Sequence, residues 1–375
     1  MSSPASARPT PLNAVHVALG ARLTDFAGWN MPLKYTSELA EHQAVRTTVG
    51  LFDLSHMGEI RVSGPQAGAA LDHALVGRLS AIKPGRAKYS LLCDANGGIL
   101  DDLVTYKITD DEFLVIANAS NTGVVLAALT DRVLTFDASV TDETEQTALI
   151  AVQGPAAQAV IQSLADDPDN PDARDAVAAL RYYACMPARI AGLDVLLART
   201  GYTGEDGFEV YVAADDAVTL WSALSTATEA AGGRAAGLAC RDTLRLEAGM
   251  PLYGNELSLE TDPYAARLGR VVQLDKAFVG QEALALAAQD QPARLLTGLT
   301  GEGRRAARAG NVVLNAAGEP VGVITSGALS PTLGRPIALA YVDRDEAVEG
   351  ASLQVDVRGT LLPFTVSPYP FYKRS

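Results

Sequence analysis

The sequence has little of what marks several common protein classes. It contains only three cysteines, Cys93, Cys185 and Cys240, which are far apart and odd in number, so we expect reduced thiols in a cytoplasmic protein. No apolar run approaches the roughly 18 residues that a membrane helix needs, and no export signal is evident. With 30 Lys and Arg against 44 Asp and Glu, the net charge of −14 argues against nonspecific nucleic-acid binding.

Patterns for metals and nucleotides are missing as well. The four histidines do not form a ligand pair at helical spacing, and no two cysteines are close, so the sequence predicts no metal site. A P-loop, a Gly-x-Gly-x-x-Gly turn behind a strand and a Gly-x-Ser-x-Gly elbow are all absent. Metal-free chemistry, or chemistry carried by an organic cofactor, is left.

The 375 residues have an ordinary globular balance, with 48% apolar and 20% charged residues, and are enough for two or three domains. Helical patterns alternate with strand patterns over most of the chain. From about Arg294 to Tyr372 the pattern changes to short strands separated by glycine turns, which predicts an all-β domain. The predicted helices are 37–50, 64–76, 217–231 and 241–248, and the predicted strands include 87–93, 99–107, 113–118 and 208–212.

A glycine-spaced turn is the most informative segment. Gly201, Gly204 and Gly207 recur every third residue, which predicts left-handed or strained turn angles. In the strand that follows, alternation places Glu209 on the face opposite Phe208 and Val210. A carboxylate fixed beside an open turn suits a ligand with two parallel N–H donors, such as the 2-amino-4-oxopyrimidine of a pterin. A simple hairpin with a solvent-facing glutamate fits the segment equally well.

Three further segments are candidates. Asp101 and Asp102 point to opposite faces of a strand, so only one can enter a given pocket; both could instead serve a turn. Met57 follows His56 and offers a soft surface for a flat ring, although such a histidine is more often a packed core group. Arg241 could anchor a ligand carbonyl, with surface ion pairing as the plain alternative.

In order and number, these segments resemble the T-protein family of the glycine cleavage system, the tetrahydrofolate-dependent aminomethyltransferases. The likeness covers almost the whole chain. It is carried by residues 25–33 (DFAGWNMPL), 49–58 (VGLFDLSHMG), 97–104 (GGILDDLV), 199–209 (RTGYTGEDGFE), 239–242, 246–248, 324–327 and 370–372.

The resemblance implies an α+β fold in three domains arranged as a cloverleaf. Residues 1–50 with about 148–282 would form a discontinuous folate-binding domain. Residues about 51–147 would form a second α+β domain, and about 283–375 a C-terminal β-barrel-like domain.

The resemblance also implies a reaction. An aminomethyl group on the lipoyl arm of H-protein passes to tetrahydrofolate, a co-substrate; ammonia leaves and 5,10-methylenetetrahydrofolate forms. No metal or nucleotide is implied, and positioning, proton management and a dry cavity would suffice. We expect a monomer in the cytoplasm, with lipoylated H-protein as its partner and no binding to nucleic acid or membrane.

The site residues follow from the resemblance position by position. Asp102 matches the acidic residue near the reacting nitrogens of folate, and we expect it to orient folate and stabilise cationic character as ammonia departs. Glu209 matches the pterin-binding glutamate, and Arg241 the substrate-contacting arginine. The other matching positions line the folate cavity: Tyr89, Met57, Asn118, Tyr182, Tyr202 and, at the C-terminus, Tyr372.

A basic segment is a candidate for H-protein docking. Between residues 294 and 310 there are four arginines and one glutamate, although the chain as a whole is acidic. We predict that Arg305 and Arg308 contact the carrier or its lipoyl arm; a solvated loop is the alternative.

Two other functions use the same fold. One is a folate-dependent demethylase acting on a small methylated substrate. The other is a non-catalytic folate-binding accessory protein, whose marker cysteine is absent from the corresponding segment 276–282. Retention of Asp102 and Glu209 favours the transferase.

Overall fold

The computed structural model describes residues 7–167 and 169–374, and the chain divides into two compact units. Unit 1 consists of Met1–Ala70, Leu79–Lys88 and Val104–Asp242, and unit 2 of Leu71–Arg78, Tyr89–Leu103 and Thr243–Ser375. The three-domain boundaries given above stay a prediction, and residues 1–6 of the first predicted domain lie outside the described residues.

Unit 1 contains most of the helices. Four elements, α3, α8, β6 and β7, continue along the chain from one unit into the other. The helices up to the end of unit 1 are α1 (Asn13–Ala18), α2 (Glu38–Thr47), α3 (Ala67–Ala74), α4 (Thr122–Arg132), α5 (Ala157–Leu164), α6 (Ala173–Ala179), α7 (Ala217–Ala230) and α8 (Leu238–Glu247).

The strands over the same part of the chain form three sheets. They are β1 (Arg8–Pro9), β2 (Arg22–Phe26), β3 (Trp29–Lys34), β4 (Gly50–Asp53), β5 (Gly58–Ser63), β6 (Arg86–Cys93), β7 (Ile99–Thr109), β8 (Glu112–Ala117), β9 (Ser139–Asp142), β10 (Thr147–Gln153), β11 (Cys185–Ile190), β12 (Leu193–Ala198), β13 (Gly207–Ala213) and β14 (Arg234–Ala235). Their orders are β1-β3-β2, β6-β7-β8-β5-β9 and β11-β12-β13-β10-β4-β14. The predicted strands 87–93, 99–107, 113–118 and 208–212 are confirmed to within two residues.

The six-stranded sheet organises the core of unit 1. β10 lies between β13 and β4, in antiparallel register with both, so that Ala151 is opposite Glu209 on one side and Phe52 on the other. Six of the seven β10 residues are buried, as expected for a central strand covered on both faces. Phe208 and Trp221 belong to the apolar cluster around it.

Helix α2 begins where the sequence predicts and ends earlier. The Ser37 hydroxyl accepts a hydrogen bond from the Ala40 amide and caps the helix. The helix ends at Thr47, and Gly50 begins β4 instead of terminating α2. A Cβ at Gly50 would lie 2.4 Å from Cγ2 of Val45, so this glycine is required by the close packing of strand on helix.

Unit 2 contains the C-terminal barrel. After α9 (Gln281–Gln289), six strands close in the order β15-β18-β17-β16-β19-β20. They are β15 (Arg294–Gly301), β16 (Val312–Leu314), β17 (Pro320–Leu329), β18 (Pro336–Asp343), β19 (Ser352–Val357) and β20 (Thr360–Ser367). The first strand starts at Arg294, where the sequence pattern changes, and the predicted all-β domain is confirmed.

Candidate active site

Glu209 lies in the middle of β13, in unit 1. Its neighbours Phe208 and Val210 are fully buried, whereas Glu209 is half-buried on the opposite face of the strand, as alternation predicts. Because β13 pairs with both β10 and β12, the backbone at Glu209 is held from two sides. The carboxylate therefore projects from a rigid element.

Two hydroxyl groups orient this carboxylate. Thr200 donates from Oγ1 to Oε2 of Glu209 at 2.5 Å. The Tyr106 hydroxyl shares its proton between that same oxygen, at 3.1 Å, and Oγ1 of Thr200, at 2.7 Å. Tyr211 donates in turn to the Tyr106 hydroxyl at 3.4 Å. Within residues 7–167 and 169–374, no donor reaches Oε1 of Glu209. One oxygen is thus held by the protein, and the other can accept from a ligand.

The phenols in this network remain hydrogen-bond donors. Burial, followed by the negative charge of Glu209, raises the pKa of Tyr106 well above its ordinary value. The pKa of Tyr211 is also raised, mainly by burial. Both groups stay protonated at neutral pH, so the carboxylate faces donors on its protein side.

Arg241, on α8, adds a half-buried cation in unit 1. Its guanidinium lies over the ring of Tyr202, 4.8 Å from the centroid. Burial lowers the pKa of Arg241, and the negative charge of Glu209 opposes that effect. Nη1 is buried and has no hydrogen-bond partner among the described residues. An arginine keeps its proton in proteins, so this N–H is available to a ligand carbonyl or carboxylate.

His56 is not the satisfied core histidine that the sequence favours. It is buried, but its Nδ1 has no partner within the described part of the chain. Burial, followed by the positive charge of Arg241, lowers the pKa of His56 to about 4. The imidazole is neutral at physiological pH and packs edge-on against Phe26, with ring centroids 5.4 Å apart.

The other predicted residues of unit 1 occupy turns. Met57 is half-buried, and its amide donates to the Leu54 carbonyl in the turn before β5. Asn118 follows β8, and its carbonyl accepts from the Asn121 amide. Tyr182 is 44% exposed and packs edge-on against Tyr183. None of these contacts tests the predicted role in folate binding.

In unit 2, Asp102 is paired with a tyrosine. The Tyr89 hydroxyl donates to Oδ2 of Asp102 at 3.0 Å, which brings together two predicted site residues on β6 and β7. Asp101 is fully buried and Asp102 half-buried, in agreement with opposite faces of one strand. The turn before β7 is instead closed by Asp94, whose Oδ1 accepts from the Gly98 amide. Asp102 is therefore not a turn residue.

The remaining candidates of unit 2 lie near the C-terminus. Tyr372 donates its amide to the carbonyl of Glu247 at 2.8 Å, which fixes the chain end on α8. Arg305 and Arg308 are exposed on the barrel and donate to the carbonyls of Val357 and Gly327. One guanidinium nitrogen of each arginine is thus held by a barrel carbonyl.

Sequence reasoning missed the two hydroxyls on Glu209 and the reason for two glycines. Thr200 directly precedes the glycine-spaced turn, and this position could have indicated a role beside Glu209. For Tyr106 the sequence indicates a strand and nothing more. Gly204 alone of the three turn glycines has a left-handed φ, of 81°. Gly201 and Gly207 are needed for a different reason, the close approach of a side chain, described below.

The described residues contain neither a cluster of metal ligands nor a membrane-spanning helix. In that part of the chain no three His, Cys, Asp or Glu side chains are grouped to hold a metal ion. None of its helices is both long and apolar enough to cross a membrane.

Known proteins match this chain along nearly its whole length. Residues 12–276 match the family model described as the GCVT N-terminal domain, and residues 294–373 match the glycine cleavage T-protein C-terminal barrel domain. The chain belongs to the glycine cleavage T-protein family. Its β15–β20 barrel is the C-terminal barrel of that family.

Individual relatives agree with the family assignment. An aminomethyltransferase of Saccharopolyspora erythraea is 55% identical over 100% of both chains, and one of Cutibacterium acnes is 57% identical over 98% of this chain and 99% of the other. A crystal structure of the glycine cleavage system aminomethyltransferase T from Bartonella henselae superposes with a TM-score of 0.90 at 35% identity, covering 98% and 99% of the two chains. The predicted T-protein fold of α+β class and the predicted aminomethyltransferase activity are confirmed. The T-protein family implies use of tetrahydrofolate and interaction with H-protein.

Proposed function

We propose that this T-protein transfers the aminomethyl carbon from the lipoyl arm of H-protein to tetrahydrofolate. In the transfer, the carbon loses its bonds to sulfur and to the amine nitrogen and gains bonds to N5 and N10 of the folate. The two N–H protons leave with the sulfur and the amine, so a lipoyl thiol, ammonia and 5,10-methylenetetrahydrofolate result. No external oxidant or reductant is needed.

The arrangement of Glu209 carries this proposal. Its Oε2 is held by Thr200 and Tyr106, while Oε1 has no protein donor among the described residues. A pterin presents N–H groups at its pyrimidine edge, and one of them can donate to the open Oε1 of this fixed carboxylate. The unpartnered Nη1 of Arg241 would donate to an acceptor on the same ring system. Two half-buried groups of opposite charge, each with an open hydrogen-bonding position, fit such a ligand.

Asp102 has a different role in the proposal. The Tyr89 hydroxyl fixes the carboxylate through Oδ2. A fixed negative charge stabilises the positive charge that develops on the transferred carbon as ammonia leaves. Met57, Asn118, Tyr182, Tyr202 and Tyr372 remain proposed contacts of the folate, and the monomeric state and cytoplasmic location remain predictions.

One experiment separates binding from chemistry. Tetrahydrofolate affinity is measured by titration calorimetry. The rate of methylenetetrahydrofolate formation is measured separately, with aminomethylated H-protein as the donor. Loss of a charged hydrogen-bond partner costs about 1.5–3 kcal/mol, so Glu209→Ala should weaken affinity by roughly tenfold or more. Asp102→Asn should instead slow transfer while affinity stays near that of the parent. The exposed Glu229→Ala on α7 is the matched control.

The outcomes are distinct. Parental affinity in Glu209→Ala would remove the pterin assignment, and a parental transfer rate in Asp102→Asn would remove the electrostatic role. Turnover of small methyl donors, with none of aminomethylated H-protein, would favour the demethylase alternative.

For docking, we propose that Arg305 and Arg308 contribute positive charge to the surface that meets H-protein. Both arginines are exposed, and one guanidinium nitrogen of each donates to a barrel carbonyl, which holds the charge at a defined place. Affinity for H-protein should therefore weaken with salt in the parent. That salt sensitivity should be smaller in an Arg305→Ala/Arg308→Ala double variant, and an unchanged salt slope would contradict the docking role.

A further inference from the structure

The side chain of Gln153 fills the space inside the glycine-spaced turn. Gln153 is the last residue of β10 and is fully buried. Its Nε2 donates to the carbonyl of Thr200 at 3.0 Å, and its Oε1 accepts from Oγ1 of Thr203 at 2.9 Å. One amide group therefore joins the central strand of the sheet to the residue before the turn and to a residue within it.

Two of the glycines exist to admit this amide. A Cβ at Gly201 would lie 2.0 Å from Oε1 of Gln153, and a Cβ at Gly207 would lie 2.3 Å from its Cδ. Neither glycine has a left-handed φ, in contrast to Gly204. Their lack of a side chain is thus explained by the amide pressed between them.

The amide is connected to Glu209 through a single residue. Gln153 binds the backbone carbonyl of Thr200, and the hydroxyl of the same Thr200 donates to Oε2 of Glu209. The position of Thr200 thus links the Gln153 amide to the carboxylate. We infer that Gln153 is a positioning residue for tetrahydrofolate binding, because its amide fixes Thr200 and Thr200 holds Glu209 for the pterin. This inference rests on the proposed role of Glu209.

Both ends of the amide matter for this role. Gln153→Glu keeps an acceptor for Thr203 but places an oxygen against the Thr200 carbonyl oxygen, where the two repel. Gln153→Met fills a similar volume without either hydrogen bond. If the amide positions Thr200, both variants should bind tetrahydrofolate less tightly, Gln153→Glu more severely.

The test measures tetrahydrofolate affinity by titration calorimetry, together with urea unfolding and kcat and KM for transfer. A net hydrogen bond corresponds to roughly a fivefold change in an equilibrium, so Gln153→Met should weaken affinity about fivefold. KM for tetrahydrofolate should rise by the same factor while kcat stays unchanged. Parental affinity and KM in a folded Gln153→Met protein would overturn the inference.

A size exchange separates positioning from packing. Gly201→Ala alone should be strongly destabilised, because its Cβ clashes with the amide. In Gln153→Ala/Gly201→Ala the clash is gone, and stability should recover relative to Gly201→Ala. Tetrahydrofolate affinity should stay low, since no amide holds Thr200. Recovery of affinity together with stability would show that the amide only fills space and would overturn the inference, even if Gln153→Met does not fold.

Glu209→Ala in the same titrations keeps the two proposals apart. If Glu209→Ala binds tetrahydrofolate as the parent does, the proposed function of Glu209 fails, and positioning by Gln153 fails with it. If Glu209→Ala loses affinity while both Gln153 variants keep it, only the positioning role is wrong.

Discussion

Two buried carboxyl groups of unit 1, on neighbouring strands along the chain, have opposite surroundings. Asp53 ends β4 and accepts from Thr10 at 2.7 Å, from the Ser55 amide at 2.9 Å, and pairs with His16 at 2.8 Å. Glu59, on β5, is equally buried, yet neither of its oxygens has a partner within the described residues. The same degree of burial therefore accompanies full satisfaction in one case and none in the other.

The difference in hydrogen-bond partners decides whether each carboxyl group is charged. Burial alone would raise the pKa of Asp53, but the hydrogen bond and charge of His16 and the donors at Ser55 outweigh it and lower the pKa below its ordinary value. Burial raises the pKa of Glu59 well above its ordinary value, and four neighbouring acids reinforce the effect: Asp142, Glu143, Asp53 and Glu209. Donors, and not depth, determine whether a buried carboxyl is charged.

Glu209 is intermediate between these two, and this is what makes it suitable for a ligand. One of its oxygens is satisfied by hydroxyls, as in Asp53, and the other has no protein donor among the described residues. A ligand that brings N–H donors would complete the set. The number of hydrogen-bond donors that the fold supplies thus decides whether a carboxyl group of unit 1 is fully bonded within the protein or can still accept from a ligand.

The largest expected effect is at Asp53. Asp53→Asn leaves His16 beside a neutral amide, and breaking one partner of a buried pair costs about 3–5 kcal/mol. The free energy of unfolding at pH 7, measured in urea, should fall by that amount. Because the folded pKa of Asp53 is lowered, its stabilisation is present above its unfolded pKa of about 3.9 and is lost on acidification. Parent and variant should converge at low pH; equal stability at pH 7 would contradict the account.

Replacing the Glu59 carboxyl by an amide should have the opposite effect and raise the free energy of unfolding. Above the unfolded pKa of about 4.3, the unfolded chain loses this proton while the folded protein keeps it, so the parent loses stability as pH rises, by up to about 1.4 kcal/mol per pH unit. This loss continues until the raised folded pKa is reached. Glu59→Gln carries no such proton, so its advantage over the parent should grow across urea unfolding series from pH 4 to 7.

A control fixes the interpretation of the Glu59 series. Glu229→Gln, an exposed substitution on α7, is measured over the same pH range so that the Glu59 series can be compared with loss of an exposed carboxyl. If the stability difference between Glu59→Gln and the parent does not grow with pH, Glu59 is ionised in the folded protein and the contrast with Asp53 is wrong.

Sequence patterns predict much of this fold and part of the site. Alternation in residues 208–212 gives the face of Glu209, and the change of pattern at Arg294 locates the barrel. Ser37 marks the start of α2 because capping is a local interaction. These features depend on residues that are neighbours in the chain, so they can be predicted from a single sequence.

What the sequence could not give are contacts made at long range. Tyr106 and Glu209 are 103 residues apart, and Gln153 and Thr200 are 47 apart. A glycine in the sequence does not show which structural reason requires it. Gly204 is needed for a left-handed backbone angle and Gly201 for the close approach of a side chain, yet both appear in the sequence only as glycine. The partner that distinguishes Asp53 from Glu59, the imidazole of His16, is likewise brought by folding.

The smallest expected effect tests whether the number of donors controls Glu209 as it controls Asp53. Tyr106→Phe removes one of the two hydroxyls on Oε2 and leaves Thr200 in place, so tetrahydrofolate affinity should weaken by roughly fivefold, or about 1 kcal/mol. Tyr211→Phe removes a hydroxyl that reaches Glu209 only through Tyr106, at 3.4 Å, and should weaken affinity less. Titration calorimetry on both variants decides the matter. Equal losses would mean that packing of the two rings, and not direct donation to the carboxylate, prepares Glu209 for its ligand.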